Sequence, residues 1–367
     1  GIVRIKKKNA VCTIGAQEFT SLTEALAAAR SGETIKLLQN ITYTDSIEVS
    51  GKTINFDLGD YNLFLDISSE SPNKPALTVE GSGKVNLIGT GTGQFNVKGS
   101  STAMSAISIL GANSAATVNN VEGGRIGVYM YGSGPALDGG SITVNGNIKA
   151  NSGVTVNAKN GQVLVNGNIT SSSTGVSTWA NQDTQVTVNG NITVIDHTPG
   201  SEPVGIRAYS GNTVEVVGDV TVNGADCTGV HVSGGIIRID GNLVSSGQGV
   251  YCDSRGEVRI TRSLTAGTPF IVVGSTEMTA EQGTKTADGF LVYSDGKNTV
   301  WIGSVGDSAP AYLLTVVSGT GGGTYAVGAQ VPITANPPVQ GKLFDKWTTS
   351  NGGSFEDANS ASTTFTM

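Results

Sequence analysis

Over 367 residues the chain carries 22 lysines and arginines against 29 aspartates and glutamates, a net charge of −7, with one basic run at Lys6 to Lys8. That balance excludes the broad basic face that a nucleic-acid partner requires. Fifty-two glycines, 6% aromatic residues and ten prolines placed almost wholly outside the strand-like segments suit many tight turns around a slim aliphatic core.

Taken in order, Ile2–Ile5 and Val11–Ile14 read as two short strands pairing as a starter hairpin. A helix is expected over 21–31. Ser21-Leu-Thr-Glu24 reads as a capping box, Leu22, Ala25, Leu26 and Ala29 form an apolar stripe, and Gly32 is the stop signal. Such a helix can cover the open end of a stack of strands. Irregular coils follow, with strands at Thr34–Leu38, Thr53–Leu58 and Val85–Ile88 and a turn-rich excursion from Ser68 to Lys74. Ala106–Ile109 and Gly127–Met130 read as second strands of later coils.

The regular part begins at Ser141. Ile142-Thr-Val-Asn-Gly-Asn-Ile148 recurs as Val163-Leu-Val-Asn-Gly-Asn-Ile169 and Val186-Thr-Val-Asn-Gly-Asn-Ile192. Degraded copies follow at Val214–Val220, Ile237–Leu243 and Val258–Leu264, so successive anchors are 21, 23, 28, 23 and 21 residues apart. A repeat of this length is a solenoid coil that cannot bury its apolar face alone. Val-x-Val is a short alternating strand, Asn-Gly reads as a turn tolerant of positive φ, and the next Ile opens another strand. A second strand is expected to begin at Gly153, Gly175, Gly205, Gly229 and Gly249, each followed by Val or Ile. Short β segments without a helical period indicate a parallel β-helix from about 33 to 303. Stacking at roughly 4.8 Å then aligns equivalent positions into ladders. Val144, Val165, Val188, Val216, Ile239 and Ile260 should face inward with the six anchors. So should Ile148, Ile169, Ile192, Val220, Leu243 and Leu264. Asn145, Asn166 and Asn189 should hydrogen-bond along the stack.

After Leu264 the repeat fades, and Gly289–Tyr293 with Thr299–Ile302 should form a last coil or cap. Residues 304–310 read as a linker. From 311 to 367 strands and turns alternate in a small all-β module, with segments at Tyr312–Val317, Tyr325, Val331–Thr334, Phe344–Trp347 and Thr363–Met367. It ends on a strand, so a closing strand is expected beyond it. The start at Gly1, a non-initiator residue, suggests a piece of a longer precursor, so the lack of a signal segment is uninformative. Three cysteines cannot close a disulfide framework. Cys252 aligns with Val232 and should be a buried hydrophobe, whereas Cys227 falls in a turn out of register with it.

The run Phe19-Thr-Ser-Leu-Thr-Glu-Ala-Leu-Ala-Ala-Ala-Arg-Ser-Gly-Glu-Thr-Ile-Lys-Leu-Leu38, with the valine-rich coils after it, resembles the pectate-lyase-like β-helix superfamily. More narrowly, it resembles β-helix regions of Gram-positive surface proteins. The tail, with Gly-Thr-Tyr325-Ala-Val-Gly, Ile333-Thr-Ala, Phe344-Asp-Lys-Trp347 and Thr364-Phe-Thr-Met367, resembles the divergent repeat related to the internalin B-repeat. The resemblance implies a right-handed single-stranded parallel β-helix with an N-terminal capping helix, followed by a surface-protein repeat. It also implies an extracellular, cell-wall-attached location.

A fold of this kind hosts lyases, hydrolases, adhesins and stalks, so function must come from side chains. A lyase of the family would need calcium-binding carboxylates beside a base, and a hydrolase would need aspartates converging from neighbouring coils. Asp219 and Asp240 occupy different turn positions, and Asp226 and Asp253 sit on opposite sides of their strands. The two histidines, His197 and His231, fall at no metal-ligand spacing. No catalytic residue, cofactor or metal is expected, and the chain is expected to be a monomer not inserted in a membrane.

Repeat length points to a binding face instead. From anchor to glycine the coils use 11, 12, 19, 15 and 12 residues, and from glycine to next anchor 10, 11, 9, 8 and 9. The extra residues, Ile195–Pro203 and Asn223–Asp226, should emerge side by side on one face, where solenoids often bind partners. Beside them Arg207, His231 and Tyr251 should form an outward ladder able to hydrogen-bond and stack on a sugar. The expected ligand site is Arg207, His231 and Tyr251 with Asp196, His197, Glu202 and Asp226, for a glycan or a host or matrix protein. A lyase or hydrolase and a passive stalk are the alternatives.

Overall fold

The computed structural model describes residues 9–67, 74–132, 138–179, 183–196, 202–224, 226–303, 311–326, 330–338, 343–349 and 353–366. The chain forms two compact units, 1–304 and 305–367. The larger is a right-handed parallel β-solenoid of about nine turns. Each coil contributes a first strand to one sheet, then a second and a third strand to the remaining faces, as in Gln185–Val188, Ile192–Ile195 and Val204–Tyr209. Where the corner between second and third strands is short they run on as one strand, Ile148–Asn157 or Ile169–Thr178.

The coils stack in the register that the repeat predicts. Ile142, Val163, Val186, Val214, Ile237 and Val258 are successive partners, and none is more than 3% exposed. The columns of Val144 and Ile148 are equally buried as far as Leu243. Leu264, at the fraying end, is only half-buried. Cys252 pairs with Val232 in the core. All three cysteines are buried free thiols; burial pushes Cys12 up to about 11 and Cys252 up to about 12.

The Asn-Gly-Asn corners depart from expectation in their glycines. Gly146, Gly167 and Gly190 are not among the positive-φ residues. They are required by close approach: a Cβ on Gly190 would stand 2.5 Å from the Gly167 carbonyl oxygen and 2.6 Å from Asn168 Oδ1. That Oδ1 is occupied. Asn168 N donates to Asn147 Oδ1 at 2.8 Å, Asn191 N to Asn168 Oδ1 at 2.8 Å, and Asp219 N to Asn191 Oδ1 at 2.8 Å. The ladder continues through Asn242 N to Asp219 Oδ1 at 2.7 Å. A second file, Asn189 Nδ2 to Asn166 Oδ1 at 2.8 Å and Asn166 Nδ2 to Asn145 Oδ1 at 3.3 Å, is the one expected from the sequence.

Both ends are capped. Cys12–Ile14 pairs antiparallel with Gln17–Phe19 and with the first coil strand, Thr34–Leu37; the expected partner Ile2–Ile5 lies outside the described residues. The helix is Leu22–Ala28, three residues shorter at its end than expected. Ser21 Oγ accepts from Glu24 N at 3.2 Å, but the Glu24 carboxylate accepts from Thr20 Oγ1 rather than closing a reciprocal box. The helix stops at Ala29, before Gly32, because Lys52 Nζ from the next coil donates to the carbonyls of Leu26 and Ala29. A cation at this end suits the helix dipole. At the far end Thr299–Ile302 stacks parallel on Glu257–Ile260, and Leu291–Ser294 folds back antiparallel upon it. That makes a cap rather than a further coil.

In the smaller unit Ala311–Leu314 pairs with Gly323–Ala326, and a second antiparallel sheet holds Gln330–Ala335 and Ser362–Thr366. Val331, Ile333 and Phe365 are its core, with Trp347 and Phe355 packed on them. Phe344–Trp347 is irregular backbone. Trp347 Nε1 donates to the Ser360 carbonyl at 3.0 Å, so this ring is framework.

Gly190→Ala should lower the unfolding free energy by about 1–3 kcal/mol, because the carbonyl and the side-chain oxygen of the coil below both block the added carbon. Gln185→Ala, on an exposed side chain, should stay within about 0.5 kcal/mol. Chemical denaturation of both variants checks the difference.

Candidate functional site

The third strands bear the densest functional chemistry. Within Val204–Tyr209 the side chains of Ile206 and Ala208 enter the core, so Arg207 and Tyr209 face outward. Register then places Arg207 beside His231 and His231 beside Tyr251 on three successive coils. The His231 and Tyr251 rings meet edge to face at 4.9 Å between centroids.

Two residues absent from the sequence-based site complete this strip. Trp179, which is 50% exposed, stacks on Tyr209 at 5.3 Å and 25° between planes, and Tyr209 in turn lies 6.0 Å from His231. Arg207 Cζ is 5.9 Å from the Trp179 ring centroid, within cation–π reach. Trp179 and Tyr209 follow the glycines Gly175 and Gly205 by four residues, the second outward position of the strand. Counting on by two from Arg207 would have found the column.

Polar atoms on this strip lack protein partners. Ser177 Oγ, next to Arg207 in its column, is buried and unbonded, as are Arg207 Nε and Asp253 Oδ1. Asp253 continues the Tyr209 column through Ser233. The other two such atoms, on Ser171 and Thr178, occupy inward positions in register with Val194 and Ala208. Leaving a buried polar group unpaired costs about 1–3 kcal/mol. Closed to solvent, these three atoms are a local cost to the fold, and the chemistry the strip presents outward is its run of rings.

The corner residues lie at the other end of the strands. Gly224 packs against Pro203 and the Asp196 carbonyl, Asp196 N donates to Asn223 O at 2.9 Å, and Thr228 N donates to Pro203 O at 2.9 Å. The two extended corners thus lie against each other, as their lengths implied. Asp196 is 9% exposed, Glu202 and Asp226 are exposed, and His197 lies outside the described residues. With roughly 3.3 Å per residue, Glu202 begins some 16 Å along the strand from Arg207. The acids form a separate lip; the strand residues form the cluster. Cys227 is buried within this corner, its Sγ 3.2 Å from Ser246 Oγ and 3.1 Å from Gly247 N.

Asp219 stacks on Asn242 and not on Asp240. Among the described residues no group of three or more His, Cys, Asp or Glu is placed to hold a metal ion. No helix among them is long and apolar enough to cross a membrane. Residues 312–367 match the family model of the divergent InlB B-repeat domain. No curated protein and no solved structure matches the chain.

Burial, then the Arg207 charge, hold His231 below its ordinary value of 6.5, against a smaller upward pull from Asp253. The fold therefore favours the neutral imidazole, and stability falls as pH drops below 6.5 toward the folded-state value. Between about pH 7 and about pH 5 the melting temperature of the wild type should fall more than that of His231→Gln. Equal slopes for the two proteins would contradict this environment for His231.

Proposed function

We propose that this is a non-catalytic bacterial cell-surface protein whose solenoid binds a glycan through the outer face of its third strands. The observation that carries the reading is the run of rings on four successive coils, Trp179, Tyr209, His231 and Tyr251, with the Arg207 guanidinium against Trp179. A sugar presents apolar C–H faces that stack on rings and hydroxyls that bond to polar side chains such as the Arg207 guanidinium and the Tyr251 phenol. The acidic corner at Asp196, Glu202 and Asp226, with His197, would border the ligand at one side.

The similarity of 312–367 to the divergent InlB B-repeat supports a surface location, extracellular and attached to the cell wall. The finer kinship, with pectate-lyase-like β-helices of Gram-positive surface proteins, rests on the resemblance of 19–38 and the valine-rich coils.

A glycan array probed with residues 1–367 should return a binding glycan. The triple variant Arg207→Ala, His231→Ala, Tyr251→Ala should abolish that binding with little change in melting temperature, and unaltered affinity would sink the reading. Because Trp347 serves the core of the smaller unit, deleting 305–367 should leave glycan affinity unchanged by titration calorimetry. A tenfold loss would place part of the site in that unit.

A further inference from the structure

One coil before Trp179 the aromatic strip is interrupted. The outward positions of three successive third strands are Tyr129 and Tyr131, then Thr155 and Asn157, then Ser177 and Trp179. Asn157 is exposed, Tyr131 is 42% exposed and Trp179 50%. The middle coil is thus a polar floor of short side chains between aromatic walls. The walls stand two coil spacings apart, about 10 Å, so a ring centred in the gap lies about 5 Å from each, within stacking reach.

Trp179 is braced from behind: it stacks on Tyr209 in the following coil, which leaves its other face toward the Asn157 coil. Tyr131 has Tyr129 beside it on the same strand, the two rings 6.1 Å apart at 27°. Burial, then Tyr131, raises the Tyr129 phenol above its ordinary 10.0, so it stays neutral.

We propose that this slot is a second binding subsite that takes one neutral pyranose ring of a linear oligosaccharide running along the solenoid axis. The inference rests on the reading of the third-strand face as a glycan surface and adds the ligand's direction and charge. Neutrality follows from Thr155 and Asn157, the accessible side chains of the floor, which offer a hydroxyl and an amide and no charge. Direction follows from the coils: Trp179, Tyr209, His231 and Tyr251 carry rings on four successive coils, in two adjacent columns, with Tyr131 two coils before Trp179. A helix, about 10–12 Å across with its side chains, is too wide to enter a gap one coil broad.

The test is titration calorimetry of the full chain with neutral cello-, chito-, xylo- and manno-oligosaccharides of about two to six units. In the series that binds, affinity should rise with length until a ring reaches the slot. Tyr131→Ala should flatten that rise, costing the longer members up to about tenfold and sparing the shortest. Asn157→Trp, which fills the slot from an exposed position, should do the same with unchanged melting temperature. Should Asn157→Trp fail to fold, Tyr131→Ala alone decides. Unchanged length dependence in either folded variant overturns the subsite while leaving the glycan face intact. Loss of the shortest members in Tyr131→Ala also overturns it. If none of the four series binds, the subsite falls, and the array result alone decides the wider reading.

Discussion

At the first corner of each repeat coil a backbone N–H finds its acceptor in the coil below, on the side-chain oxygen of the equivalent residue. From Asn120 through Asn147, Asn168 and Asn191 to Asp219, that oxygen receives the next coil's N–H at 2.7–2.9 Å. Strand hydrogen bonds alone would permit a coil to slip, since a parallel ladder looks alike at every second residue. The side-chain ladder removes that freedom, because each acceptor belongs to one position in the repeat. Glycine beside it is part of the same device. A methyl group on Gly167 or Gly190 would stand 2.6 Å from the accepting oxygen.

A fixed register turns sequence spacing into surface chemistry. With the core columns of Val144 and Ile148 locked, every outward residue of a third strand meets its counterpart one coil away. This is why Arg207, His231 and Tyr251 follow one another in register, and why Trp179 reaches Tyr209. The second glycine file serves the same face. A Cβ on Gly153 or Gly175 would meet an Ile side chain at 2.3–2.4 Å and the next coil's carbonyl oxygen at 2.5–2.6 Å. Glycine there lets the third strand turn tightly over the core and start in phase. The extra length of the two long coils is then confined to the corner just before it.

The core was legible because it is written in a period. Six anchors spaced 21–28 residues apart predicted a buried column, and each is buried. The in-register trio on the third strands was legible for the same reason. Trp179 and Tyr209 escape a reading that follows only the first outward position after each glycine, because the second position carries the larger rings. The conformational role expected of the Asn-Gly glycines fails because a hairpin turn inverts the chain within two residues. A solenoid corner only bends it, and close approach is what demands glycine there. The helix end falls earlier than its sequence pattern implies because its stop signal is tertiary. Lys52 belongs to the next coil and to no local pattern with the helix, yet it caps the carbonyls of Leu26 and Ala29. No period in the sequence predicts which buried polar atoms remain unpaired.

The most direct measurement of the central claim is amide hydrogen exchange on the full chain with and without a glycan taken from the array. Added protection is expected only on the third strands, at 174–179, 204–209, 228–233 and 248–253, with the first-sheet strands 162–165, 185–188 and 213–216 unchanged. Protection that appears on the first sheet, or only within 311–366, would contradict it.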